Sequence, residues 1–278
     1  MKILLQENIM SELSQDKLLT FIKELKHTSI TGYRVVKDLP FHGSDHTKLF
    51  SKDEMVFPFG SINFLKNLQV GVSYKLRHFC DWNRFKCSVY YHEYGSHILN
   101  DDYTIVQVNE LTIENLEKFS EMYNEDGCIF IRPNLSDKQF AGQIIDIKDF
   151  YKMLEILVFY NHLIKRDDFI VVSRPIKIYD EYRFVISRNK IITYSSYRVN
   201  EKLDYTKQPD EEIFRFVENM VSRNWKPHTM YVLDIATTPD GPKIAEVGSI
   251  NVAGLYNCDA SKIIFELVEL EIEGLLWI

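Results

Sequence analysis

Two carboxylates flank a turn near the carboxyl end of the chain: Asp234 in "YVLDI" (231–235) and Glu246 in "KIAEV" (243–247). Between them, Thr238-Pro239-Asp240-Gly241-Pro242 has the composition of a tight turn, since proline presets φ and glycine accepts a positive φ. The flanking segments read as the strands of a hairpin. Asp234 and Glu246 lie symmetrically about Asp240, so the simplest register sets them opposite each other, with Cβ atoms about 5 Å apart. At an effective dielectric near 20, two such charges repel by roughly 3 kcal/mol. A cation between them removes that cost, and magnesium typically takes one or two carboxylates together with phosphate oxygens. The alternative is a pair of solvated acids on an exposed face.

Two further constellations suit a triphosphate. "FIRPNLSDKQFAG" places Arg132 at the end of a strand, Lys138 in the following loop and Gly142 where backbone could approach a ligand. An arginine fork and a lysine point charge together match β- and γ-phosphate oxygens; solvated surface cations are the plainer alternative. In "DEYRFVISRNKIITYSSYR", Glu181 and Arg183 are two apart and share a strand face, and the return strand offers Ser195, Tyr197 and Arg198. A simple surface ion pair would have the same spacing. His42-Gly-Ser-Asp-His46 lacks a third ligand nearby and reads as a loop.

These residues need a scaffold of mixed type. Lys2–Leu5 opens like a short buried strand, and Ser14 starts an amphipathic helix with Leu18, Leu19, Ile22 and Leu25 on one face. Short strands follow at "VVKDLPF", "MVFPFGSINFL", "KCSVYY" and "YTIVQV", and Thr112 caps a helix to about Tyr123. "CIFIRP" and the segment after its polar loop read as paired strands. Helical spacing returns at Phe150, Met153, Leu154, Leu157, Asn161 and Ile164, ahead of the buried strand "DFIVVS". A hairpin turns at Arg188-Asn189, a helix covers Pro209 to about Arg223, and Asp259 caps the last helix. The pattern is that of an α+β chain dominated by antiparallel pairs.

With 278 residues, 45% hydrophobic and 26% charged, the chain is long enough for one large or two modest domains. A net charge of −7 argues against a general duplex-binding surface. Cys80, Cys87, Cys128 and Cys258 form no C-x-x-C pair, as expected of reduced thiols in a cytoplasmic protein. No apolar run is long enough for a membrane span, and the apolar "GLLWI" terminus is expected to dock on the body of the protein or in a homodimer contact.

In this order the segments resemble the ATP-grasp superfamily, and more closely a clade found in phages and bacteria that is named for an arginine and two lysines. The similar blocks are "FIRPNLSDKQFAG", "SRPIKIYDEYRFVI" and "VLDIATTPDG…EVGSINVAGLYNCD", with "GSINFL", "YYHEYGSHILND" and "KILLQEN" upstream. The resemblance implies an ATP-grasp fold, two α+β subdomains clamping ATP in residues 111–278, preceded by an N-terminal α/β domain in residues 1–110. It implies that Arg132 and Lys138 bind phosphates, that the backbone of Val171, Val172 and Ser173 reads adenine, and that Glu181 holds ribose. Arg183 and Arg198 would face phosphates or an acyl phosphate, and Asp234 and Glu246 would hold Mg²⁺. Where the family usually carries a metal-binding Asn, two residues after that Glu, this chain has Gly248; Asn251 is the expected substitute.

The activity so implied is ATP- and Mg²⁺-dependent joining of a carboxylate to an amine, or another nucleophile, through an acyl phosphate. The substrates would be small molecules, amino acids or peptides. Gly248 keeps open an ATP-binding pseudoenzyme or nucleotide-dependent interaction module, and the fold also permits phosphotransfer to a small molecule.

Overall fold

The computed structural model describes residues 1–7, 15–36, 46, 48–123, 127–136, 139–155 and 164–276. Among the expectations above, Ser14, His42, Leu157, Asn161, Trp277 and Ile278 lie outside the described residues, as do the side chains of Leu18, Leu19, Met153 and Leu154. The chain divides into two compact units. The first comprises Met1–Asp81, Tyr179–Ile235 and Glu246–Ile278; the second comprises Trp82–Ile178 and Ala236–Ala245.

One four-stranded sheet and most of another belong to the first unit. In one, strands β1 (Lys2–Gln6), β2 (Gly32–Val36), β3 (Met55–Phe59) and β4 (Lys75–Leu76) run parallel in the order β2-β1-β3-β4. Parallel pairing needs a crossover, and the helices Gln15–Lys26 and Ile62–Gly71 supply two of them. This parallel sheet departs from the antiparallel pattern that dominates the rest of the chain.

The other sheet has the order β10-β9-β11-β12, from β9 (Asp180–Ser187), β10 (Lys190–Val199), β11 (Met230–Thr238) and β12 (Gly241–Gly248). Its first hairpin turns at Arg188-Asn189, with φ of 48° and 64°, the two positive angles that a tight hairpin requires. Its second hairpin turns on Pro239-Asp240 with Gly241 at φ 93°, so the turn is narrower than Thr238–Pro242 and both strands are longer than expected. Ile3, Leu5, Phe57, Val185, Val232, Ile264 and Leu267 meet in one core. Leu276 joins it, whereas Leu275 remains exposed.

The second unit carries an antiparallel sheet, β5-β8-β6-β7, formed by β5 (Thr104–Gln107), β6 (Cys128–Pro133), β7 (Gln143–Asp146) and β8 (Phe169–Ser173). Its core gathers Leu116, Ile129, Ile131, Phe150 and Val172. The Thr112 hydroxyl accepts from the Asn115 amide at the head of the helix Ile113–Tyr123. "KCSVYY" is a helix here, Cys87–Tyr94, rather than a strand. Its aromatic residues favour strands, but Cys87, Tyr90, Tyr91 and Tyr94 are all buried, and their i, i+3, i+4, i+7 spacing is helical. Cys80, Cys87 and Cys258 are buried, Cys128 is half-buried, and none of the four is in a disulfide. Among the described residues, no helix is long and apolar enough to cross a membrane.

Candidate active site

Strand β9 carries Glu181 and Arg183 inward, and its neighbours bring the other charges. Glu181 stands opposite Arg198 on β10, and the register slips between Ser196 and Arg198. That bulge makes Tyr197 the extra residue, and bulges re-aim side chains. In a regular strand Tyr197 and Arg198 would point to opposite faces. Here both reach one carboxylate: the Tyr197 hydroxyl donates to Glu181 Oε2 (2.8 Å) and Arg198 Nη1 lies 3.0 Å from Oε1. Burial pushes the Glu181 carboxyl up. The Tyr197 bond and Arg198 pull it back, and the charges of Asp234 and Glu246 raise it further.

Arg183 is buried and faces Asp234, only 2% exposed on β11, in a bidentate pair. Nε donates to Oδ1 (2.8 Å) and Nη2 to Oδ2 (2.6 Å). Burial opposes the charge on Arg183, but attraction to Asp234, with a smaller contribution from Glu246, more than offsets it. Asp234 and Glu246 therefore both act on Glu181 and on Arg183, so β9, β11 and β12 bring their acids to one locality. Burial and the carboxylates of Asp234 and Glu181 hold the Tyr197 hydroxyl well above the usual phenol range.

Among the described residues, no group of three or more His, Cys, Asp or Glu side chains is arranged to hold a metal. The carboxylates expected at the metal are Asp234 and Glu246; a carboxylate has about four lone-pair positions, and Arg183 uses two of Asp234's. That set fits a magnesium ion that arrives with phosphate oxygens and water, and does not fit a free ion caged by protein alone.

The second unit holds the remaining candidates. Arg132, paired in register with Val171, donates from Nη1 to the Ala245 carbonyl (2.8 Å). Burial pushes the nearby Tyr91 hydroxyl up, and the Arg132 charge offsets part of that shift. Lys138 lies outside the described residues. Val171 and Val172 pair with β5 on one side and β6 on the other. Ser173 is buried and its hydroxyl accepts from Asn100 Nδ2 (2.9 Å). Backbone outside any ladder begins at Arg174. Gly142 has a packing reason: a Cβ there would meet the Phe130 ring at 2.8 Å.

The family profile described as "ATP-grasp domain, R2K clade family 2" matches residues 107–264, more than half of the chain. This is an ATP-grasp protein. Among solved structures the chain resembles D-cycloserine synthetase DcsG, with a TM-score of 0.65 at 10% identity over 97% of this chain and 99% of that one. D-alanyl-alanine synthetase A from Vibrio cholerae gives 0.65 at 12% identity over 99% and 98%. The ATP-grasp ligase PsnB, complexed with minimal precursor, Mg and ADP, gives 0.52 at 11% over 98% of each chain. At such identities the likeness is one of fold. Among curated proteins, no sequence is similar enough to be matched.

In this ATP-grasp chain the last expected metal ligand, Asn251, has another occupation. Its side chain is fully buried; Oδ1 accepts from the Phe79 amide (2.8 Å) and Nδ2 donates to the Pro58 carbonyl (2.7 Å). Its own carbonyl accepts from the Gly60 amide (2.9 Å). Both amide atoms are committed to backbone, which leaves Asp234 and Glu246 as the donors with charge to offer. A Cβ at Gly248 would approach Val232 Cγ2 at 3.3 Å, tighter than ordinary van der Waals contact. Sequence reasoning passed over Tyr205, Gly254 and Tyr256, which surround Arg183 or the rings beside it. An aromatic in a loop gives no periodic signal, and only the backbone angle of Tyr256 marks it.

Proposed function

We propose that this ATP-grasp protein is an ATP- and Mg²⁺-dependent carboxylate–amine ligase. The observation that carries the reading is the convergence of Glu181, Arg183, Asp234 and Glu246 on three adjacent strands. Like charges gathered at one site repel unless a cation joins them, and we assign Asp234 and Glu246 to Mg²⁺. When bound, that ion neutralises charge on the transferring phosphoryl group.

The chain's own residues do the rest. Glu181, kept in place by Tyr197 and Arg198, accepts hydrogen bonds from the ribose. Arg183 has five N–H donors and three are engaged, which leaves two for an anionic substrate oxygen; Arg198 supplies a second, more exposed cation. Arg132 and Lys138 take phosphate oxygens, and base recognition falls to backbone after Ser173. Asn251 is assigned to scaffolding. The γ-phosphoryl group passes to the substrate carboxylate with loss of ADP, and the amine then displaces phosphate and gives up a proton. The substrates are small acids and amines, amino acids or peptides, and the protein acts in the cytoplasm without a nucleic-acid partner.

The test is ATP turnover screened against pools of acids, amines and peptides, with mass spectrometry of whatever gains mass. Asp234→Asn and Glu246→Gln are each expected to abolish ADP release while melting stays cooperative. Full activity in both variants would remove the metal assignment. Gly248 favours a second reading, a nucleotide-dependent interaction module: ATP would then raise the melting temperature with no ADP formed from any pool.

A further inference from the structure

Arg183 is held from three sides. Asp234 takes Nε and Nη2, the Gly254 carbonyl accepts from Nη1 at 2.7 Å, and the guanidinium carbon lies 4.8 Å from the Tyr256 ring centroid and 5.8 Å from that of Tyr197. An aromatic face attracts a guanidinium, most strongly where water is excluded. Tyr256 also stacks on Tyr197 (4.9 Å between centroids, 18° between planes) and on Tyr205 (5.8 Å, 17°). The same loop thus supplies both the carbonyl and the nearer ring.

Holding that loop carries a conformational cost. Tyr256 has φ 48°, a left-handed conformation uncommon for bulky residues and maintained only where the surroundings enforce it. The surroundings do so: the Asn257 amide donates to Ser195 Oγ (3.0 Å), Asn257 Nδ2 donates to the Tyr205 carbonyl (3.2 Å), and the Cys258 amide donates to the Leu255 carbonyl (2.8 Å). Every one of these bonds would survive with Asn at position 256, a residue better suited to this backbone. The ring, not the turn, is the reason for tyrosine.

We propose that Tyr256 is a positioning residue that acts on the metal site through Arg183: the ring fixes the guanidinium, and the guanidinium fixes both oxygens of Asp234. This rests on the assignment of Asp234 to the metal. Groups that orient a metal-ligating carboxylate typically change metal affinity 10- to 100-fold when altered, whereas a residue that only packs a loop would change melting alone.

The experiment uses the full chain with Mn²⁺ and a non-hydrolysable ATP analogue, free Mn²⁺ being followed by electron paramagnetic resonance. Tyr256→Phe retains the ring and is expected to bind Mn²⁺ within about twofold of wild type. Tyr256→Leu is expected to weaken binding by about tenfold or more. Tyr256→Asn, which accepts the left-handed backbone, is expected to show the same loss with cooperative melting preserved. Mn²⁺ binding within twofold of wild type by folded Tyr256→Asn overturns the proposal. A wild-type protein that holds no Mn²⁺ with the analogue overturns the metal assignment itself and takes the proposal with it, so the two failures are told apart.

Discussion

Strand β9 carries one arginine, Arg183, and the turn just after it carries another, Arg188, and the two are used differently. Arg188, in the turn to β10, bonds Glu266 through Nε and Nη2, Glu269 through Nη2 and Glu273 through Nη1, all on or at the end of the helix Ala260–Ile272. Four bonds to three acids nearly exhaust its five donors, and two of the acids are exposed. Arg183 meets one acid in the interior and keeps two donors unspent. A nearly saturated arginine fastens a helix to a sheet; one with two donors to spare can still take a ligand. Donor accounting separates a structural cation from a working one five residues away.

The sharpest way to break this contrast is to delete each guanidinium. Arg183→Met leaves Asp234 buried and uncompensated, which is expected to cost about 3–5 kcal/mol, measured by urea denaturation. Adding Asp234→Leu should restore most of that stability, since apolar replacements of buried ion pairs are often neutral, without restoring nucleotide turnover. Arg188→Met is expected to cost only about 1–2 kcal/mol, because most of its partners are exposed, and to leave turnover unchanged. Equal losses at the two positions would erase the distinction.

A gentler probe is pH. The Glu181 carboxyl is raised by burial first, so the folded protein binds its proton more tightly than the unfolded chain. Stability should therefore fall as pH rises from the ordinary glutamate range, about 4.3, through the elevated folded value. Glu181→Gln should flatten that slope and weaken nucleotide binding together; an unchanged slope would show that another group sets it. The smallest effect is expected at Gly248→Asn, where the Cβ contact with Val232 at 3.3 Å should cost less than about 1 kcal/mol. A gain in ATP turnover there would point to catalysis weakened by the missing amide.

Much of this was legible in the sequence, for reasons that differ by element. The β9–β10 hairpin announced itself through alternation and an Arg-Asn turn, and the two acids of β11 and β12 through their position beside a Pro-Asp-Gly turn. The helix Cys87–Tyr94 was obscured because tyrosine and valine favour strands, although its burial spacing is helical. The bulge at Tyr197, the left-handed Tyr256 and the double pairing of β8 have no local signature. Each follows from what neighbouring strands do, so the double pairing of Val171 and Val172 could not be read from "DFIVVS" alone. The packing of Asn251 was hidden for a similar reason: its partners, at positions 58 and 79, are remote in sequence.

That asparagine has a consequence for how the chain could be dissected. It follows the strand bearing Glu246 and bolts the first eighty-one residues to the last thirty-three, which are grouped together in one unit. The opening segment is thus no detachable module. A fragment beginning near residue 107 would strip two backbone partners from Asn251 and lay bare the side of the core lined by Ile3, Leu5 and Phe57. Shortening this protein to its family-matched span would remove part of its foundation.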